Sequence, residues 1–189
     1  MPVLATRGIS ALLACSGCVS LFAEVVTLNP VADTCLFEFD PDFNFGRQRD
    51  LPGGTLGLMG NSSRCRVLYK FDLAAVPAGA TIESARLTLA ITSQLPVGRQ
   101  VSDFALSRVL VDWGEGDGFG ERPGGREALP AEATWNHRFH PGEGQTAIPW
   151  AEPGGEFGVD FASARSGMAE NVDGSRSNPT SYVFEFNPT

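Results

Sequence analysis

Hydrophobic and polar positions alternate most cleanly between Arg64 and Ile91, in RCRVLYKFDLAAVPAGATIESARLTLAI. In its second half Ala85, Leu87, Leu89 and Ile91 share one parity, and Arg86, Thr88, Ala90 and Thr92 the other. A strand turns successive side chains to opposite faces, so this period predicts one buried and one wetter face. Residues 64–72 read as a preceding strand. The connector 74–81 carries Pro77 and Gly79, which interrupt helix and ladder alike, so the two strands are expected to form a central hairpin.

Shorter apolar runs elsewhere fit the same scheme. Residues 25–28 and 34–39 read as opening strands around Asn29-Pro30, 55–59 as a short strand, and 101–111 as a longer one. Residues 114–133 read as loop, because Gly114, Gly116, Gly118 and Gly120 alternate there and Gly124-Gly125 follow. Brief strands are expected at 134–140 and 148–150. The small, polar stretch 163–180 reads as flexible connection, and 182–186 as a last strand. No internal repeat is visible. Many short strands with turn residues between them predict an all-β, jelly-roll-like antiparallel β-sandwich.

At 189 residues, with 22 Gly and 13 Pro, the chain suits one domain with a core of useful size. The net charge of −8 and the lack of any basic run argue against a nucleic-acid partner. Residues 1–23 read as an export signal: Arg7, the apolar run 9–14, then small residues. That run is too short for a membrane span. Cleavage after Ala23 would leave a secreted domain of residues 24–189. The Leu12-Leu13-Ala14-Cys15 run instead resembles a lipoprotein box that would anchor the chain through Cys15. Plain secretion leaves two cysteines, Cys35 and Cys65, which an oxidising compartment would allow to pair.

A set of landmarks then falls in order. Asp33-Thr34, Asn44-x-Gly46, Tyr69-Lys70-Phe71-Asp72-Leu73, Val76-Pro77-Ala78-Gly79-Ala80-Thr81-Ile82 and Ala85-x-Leu87-x-Leu89 resemble the DNRLRE domain. Asp112-Trp113-x-Glu115-Gly116, Ala133-Thr134-Trp135-Asn136 and Trp150-x-x-Pro153-Gly154-Gly155-Glu156-Phe157 are similar to that family's tryptophan landmarks. The resemblance covers roughly residues 25–160. It implies a secreted β-sandwich grouped with carbohydrate-binding modules, some of which bind alginate-like polysaccharides. The family pattern continues past a strand like 182–186, whereas this sequence ends at Asn187-Pro188-Thr189, which implies a domain without its last strands.

Candidate sites follow from that expectation. Arg64, Arg66 and Lys70 share a strand parity, with Arg86 on a prospective neighbour, and guanidinium groups can grip uronate carboxylates bidentately. The bland alternative is a solvated outer sheet face. Trp135 could stack on a sugar ring, with His137 and Arg138 beside it to bond hydroxyls or carboxylates. Trp113 and Trp150, at strand ends and turns, read as plugs of the core.

Among metals, zinc would need His137, His140 and Glu143 together. Calcium suits an extracellular sandwich better, through Asp40, Asp42 and Asn44 or through Asp112, Glu115 and Asp117, although neither set has EF-hand spacing. Asp112 and Glu115 are the carboxylates a glycosidase would use, but no cleft is implied around them. There is no nucleophile elbow and no phosphate-binding loop. The expected function is therefore non-catalytic polysaccharide binding. A structural or adhesion module of the cell surface is the alternative, and a small polysaccharide-active enzyme a third.

Overall fold

Four consecutive side chains of the first strand, Thr34 to Phe37, are buried, which one-sided packing cannot produce. The structure, a computed structural model, describes residues 24–92, 102–121, 124–172 and 180–186. In it β1 (Pro30–Phe37) lies between two apolar clusters. Leu36 enters a cluster with Leu68, Trp113, Trp135, Trp150 and Phe161, while Cys35 and Phe37 join Phe45 and Cys65 on the other side. The period of two thus supplies both cores from one strand.

Further strands are β2 (Phe43–Asn44), β3 (Gly54–Thr55), β4 (Arg64–Phe71), β5 (Ala85–Ile91) and β6 (Ser102–Val109). After these come β7 (Arg126–Glu127), β8 (His137–Phe139), β9 (Ile148–Pro149), β10 (Phe161–Val172) and β11 (Thr180–Phe186). Among the described residues the strand pairs are antiparallel: β1-β4-β3 form one sheet, and β6 with β10, β5 with β11, β2 with β7 and β8 with β9 form two-stranded ladders. No α-helix occurs among the described residues, and none there is long and apolar enough to cross a membrane. The all-β class predicted from alternation is the class observed.

Several local expectations are corrected. β4 and β5 do not form a hairpin: β4 pairs with β1 and β3, and β5 with β11, Leu87 facing Phe184 and Arg86 facing Glu185. Leu87, Leu89 and Ile91 pack with Phe184, Ala169 and Val172 in a third cluster, so the alternation was right and the partner wrong. Residues 25–28 make no strand, and the strand expected over 55–59 shrinks to Gly54–Thr55 followed by a 3-10 turn at Leu58–Gly60. The polar stretch from 163 is instead most of β10, the longest strand described. Its small residues permit close packing: a Cβ on Gly167 would lie 3.0 Å from the Glu185 carbonyl oxygen of β11. The signal-like residues 1–23 lie outside the described residues, as does 173–179.

Cys35 and Cys65 are not bonded; they are free, buried thiols on adjacent strands. In the register Cys35 faces Val67 and Phe37 faces Cys65, so the two sulfurs sit diagonally, and Cys35 Sγ donates to the Pro52 carbonyl at 3.1 Å. Burial, then the hydrogen bond with Cys65, pushes the Cys35 thiol well above its ordinary pKa. A thiol so placed packs as a small hydrophobe.

Candidate functional site

The basic face of β4 is turned towards protein. Leu68 shares the parity of Arg64, Arg66 and Lys70 and is buried in the tryptophan cluster, so those side chains project over that core. Arg64 holds Glu38 bidentately at 2.7 and 3.0 Å, with its guanidinium 5.0 Å from the Trp135 ring centre. Arg66 donates to the Gly154 and Gly155 carbonyls at 2.5 and 2.7 Å and stands over Trp135, Phe157 and Phe161. Lys70 pairs with Asp112 at 2.8 Å. Arg86 is exposed on β5, away from this sheet.

Trp135 is no sugar platform either. It is 3% exposed, covered by the two guanidinium groups and by Gly154, where a Cβ would reach its ring at 2.5 Å. Arg138 donates to the Pro149 and Asp112 carbonyls. Of the basic residues expected to grip a glycan, only Arg86 makes no such bond among the described residues, and the His137 ring makes just a 3.5 Å contact with Thr134 Oγ1. Trp113 and Trp150 are buried plugs as expected, and Trp150 Nε1 donates to the Thr134 carbonyl at 2.9 Å.

The acidic loops are also occupied. Asn44, fully buried, donates to the Glu115 and Ala133 carbonyls at 2.7 and 2.9 Å and accepts from the Gly46 and Gly118 amides at 3.0 and 2.8 Å. With every polar atom of its carboxamide used, Asn44 cannot join Asp40 and Asp42 around calcium. The second calcium set disperses as well: Asp112 faces Lys70, Glu115 accepts the Asp33 amide, and Asp117 pairs with Arg126. Arg126 in turn clasps the buried Glu132 through both guanidinium nitrogens at 2.8 Å, while the Asp117 and Leu129 amides donate to the same carboxylate. The glycine-rich segment read as loop is therefore a strap. A Cβ on Gly118 would collide with the Asn44 carbonyl, and one on Gly116 would come 2.5 Å from Asn44 Oδ1. Sequence reasoning missed this knot; the signal was Asn44-x-Gly46 matched by alternating glycines 70 residues on.

One group of side chains converges on open space. The only two histidines, His137 and His140, lie with ring centres 5.4 Å apart at an interplanar angle of 84°. An odd spacing puts residues on opposite faces of a regular strand, but β8 has a register shift against β9 between His137 and Phe139 and ends before His140. Asp42, from the loop after β1, brings a carboxylate to them, and one ligand atom from each of the three lies within 4.8 Å of the others. Glu143, expected as the third member, is exposed in the turn that the Gln145 amide closes on the Gly142 carbonyl and is not part of the group.

Burial, then the neighbouring His140, holds the His137 imidazole below its ordinary pKa, with Asp42 pulling the other way. Beside the group opens a pocket of about 370 Å³ lined by Asp40, Asp42, Phe43, Glu127 and His140 with Pro41 and Ala128. No family model, no curated protein and no solved structure matches the chain.

Proposed function

We propose that this chain is a secreted, non-catalytic polysaccharide-binding module whose ligand seat is the pocket beside β2 and β7, and that the ligand is a neutral rather than an acidic glycan. The observation that carries this reading is the pocket lining: the carboxylates of Asp40, Asp42 and Glu127 around an opening of about 370 Å³, with the half-buried Phe43 beside them. Carboxylates accept hydroxyl hydrogens in charge-assisted bonds, and an aromatic face takes the apolar side of a sugar ring. The same carboxylates repel a uronate, and the overall charge of −8 adds to that at long range. The basic residues that would have favoured alginate are held by Glu38, Asp112 and backbone carbonyls. The DNRLRE-like landmarks support the glycan class, and the signal-like first 23 residues support export.

Native affinity electrophoresis of the full chain tests it, in gels containing xylan, mannan or glucan beside gels containing alginate or pectin. Retardation by a neutral glycan, lost in Asp40→Asn/Glu127→Gln, is the expected result. Retardation by alginate alone would return the ligand class to acidic glycans. A folded sample retarded by none of them would overturn the binding reading and favour a structural or adhesion module.

A further inference from the structure

We propose that Asp42, His137 and His140 bind a single divalent transition-metal ion of the zinc class. Two imidazoles and one carboxylate form a borderline donor set, suited to zinc, copper, nickel or iron rather than to calcium, which takes oxygen ligands. Three protein ligands leave at least one position open, and here that position faces the pocket, because Asp42 and His140 line both. The inference stands independently of what the pocket holds.

The scaffold under the three side chains is built. The His137 carbonyl accepts the Thr134 amide at 2.9 Å, and His140 is tied on both sides, its amide to the Glu132 carbonyl and its carbonyl to the Ala131 amide, each at 2.8 Å. The Asp42 carbonyl accepts the Ala128 amide at 2.9 Å. Outer contacts of the kind that orient ligands are present too: Asn136 Nδ2 donates to Asp42 Oδ1 at 2.9 Å, and His137 Nδ1 lies 3.5 Å from Thr134 Oγ1. Among the described residues no cation pairs with the Asp42 carboxylate.

A second observation points to a ligand. Among the described residues His140 Nδ1 is buried and has no hydrogen-bond partner, an expensive state for a polar atom unless something binds there. Metal coordination through that nitrogen would satisfy it. The distances fit after a small adjustment: ligands about 2.0–2.1 Å from a tetrahedral ion stand roughly 3.4 Å apart. The group must close by up to about 1.4 Å from its present spread of 4.8 Å, within the reach of rotation in the exposed Asp42 and the half-buried rings.

Because His137 and His140 are the only histidines, the test can be read at the ligands themselves. The full chain is treated with diethylpyrocarbonate with and without zinc ion, then digested with trypsin, which separates the two histidines by cutting after Arg138. This readout is blind to zinc held by Cys15 and Cys18 in the leader-like segment. Zinc at one equivalent is expected to slow modification of both histidines about 10-fold or more. In Asp42→Ala the protection should require about 100-fold more zinc, and in Asn136→Ala about 10-fold more. Near-ultraviolet circular dichroism from the three buried tryptophans checks that each variant is folded. Unchanged modification of both histidines in the wild-type chain at saturating zinc would overturn the proposal, whatever the variants do. So would undiminished protection in a folded Asp42→Ala.

Discussion

Replacing Asn44 by alanine should be among the most damaging single changes available, and its cost follows from four named partners. The carboxamide, itself fully buried, pairs two carbonyls, of Glu115 and Ala133, and two amides, of Gly46 and Gly118. An unsatisfied buried polar group costs about 1–3 kcal/mol, so four groups left dry would cost roughly 4–12. Water entering the vacated space re-pairs part of them, which lowers the expected loss to about 3–5 kcal/mol. Against a typical total of about 5–15 kcal/mol the variant is marginal. Urea unfolding followed by tryptophan fluorescence measures this directly, since Trp113, Trp135 and Trp150 are buried; the midpoint should fall with the slope unchanged.

Asn44→Asp gives the sharper control. It keeps the acceptor for the two amides but faces an oxygen towards two carbonyls, where only a protonated acid can donate. Its folded-state pKa is therefore raised above the unfolded value of about 3.9. A raised pKa means stability fully present below that value and lost as pH rises through the folded one. The difference between wild type and Asn44→Asp should accordingly widen from about pH 4 to 7, while that of Asn44→Ala stays flat over this range. A loss under about 1 kcal/mol for the alanine variant, or a pH-independent aspartate variant, would refute the knot as a source of stability.

Arg66→Ala removes two bonds from a charged donor to buried carbonyls together with its stacking over Trp135, so a loss of about 3 kcal/mol is expected in the same assay. Lys70→Ala, at an exposed ion pair, should cost under about 1 kcal/mol. Equal effects would mean that Arg66 is not anchored. The Arg64 guanidinium holds the Glu38 carboxyl down at about 2 from its ordinary 4.5. A depressed carboxylate stabilises above its unfolded pKa, and that gain disappears as pH falls from 4.5 towards 2. Both side chains are substantially exposed, so Arg64→Ala should lose no more than about 1 kcal/mol at neutral pH and match wild type near pH 2. Alkylation should label Cys35 and Cys65 in the denatured, unreduced chain and spare both in the native one; a denatured chain that labels at neither would show them bonded.

Apolar runs and period-two alternation were enough to place β4, β5, β6 and β11 to within a few residues; β5 and β11 face one core, whereas β4 sends Leu68 to one cluster and Cys65 to another. It did not reveal which strands pair. Arg86 and Glu185 face each other across almost a hundred residues, and no local signal encodes that. β10 escaped because Ala162, Ser163, Ala164 and Ser166 look like a loop by composition, although small side chains are what let a strand pack closely. The basic parity of β4 was legible, but its direction was not: Leu68 on the same parity was the clue that this face meets the core. The candidate site was half visible. His137 and His140 stood out as the only histidines, whereas Asp42 reaches them through the fold from 95 residues away.

The longest strand has a consequence for how the molecule comes apart. β10 begins with Phe161 in the tryptophan cluster and ends with Ala169 and Val172 in the cluster of β5 and β11. Twelve residues at about 3.3 Å each give a beam of roughly 40 Å shared by the two cores, which β6 also reaches, with Val109 at one and Phe104 and Leu106 at the other. Such a beam couples the cores only while it is stiff, and its ladder with β6 shifts register at three places, between 161 and 165, 165 and 167, and 169 and 172. Those irregularities are where cooperativity can fail. The cluster of β5 and β11 would then open as a separate foldon, with amides of β11 exchanging with solvent well before those of β1 and β4.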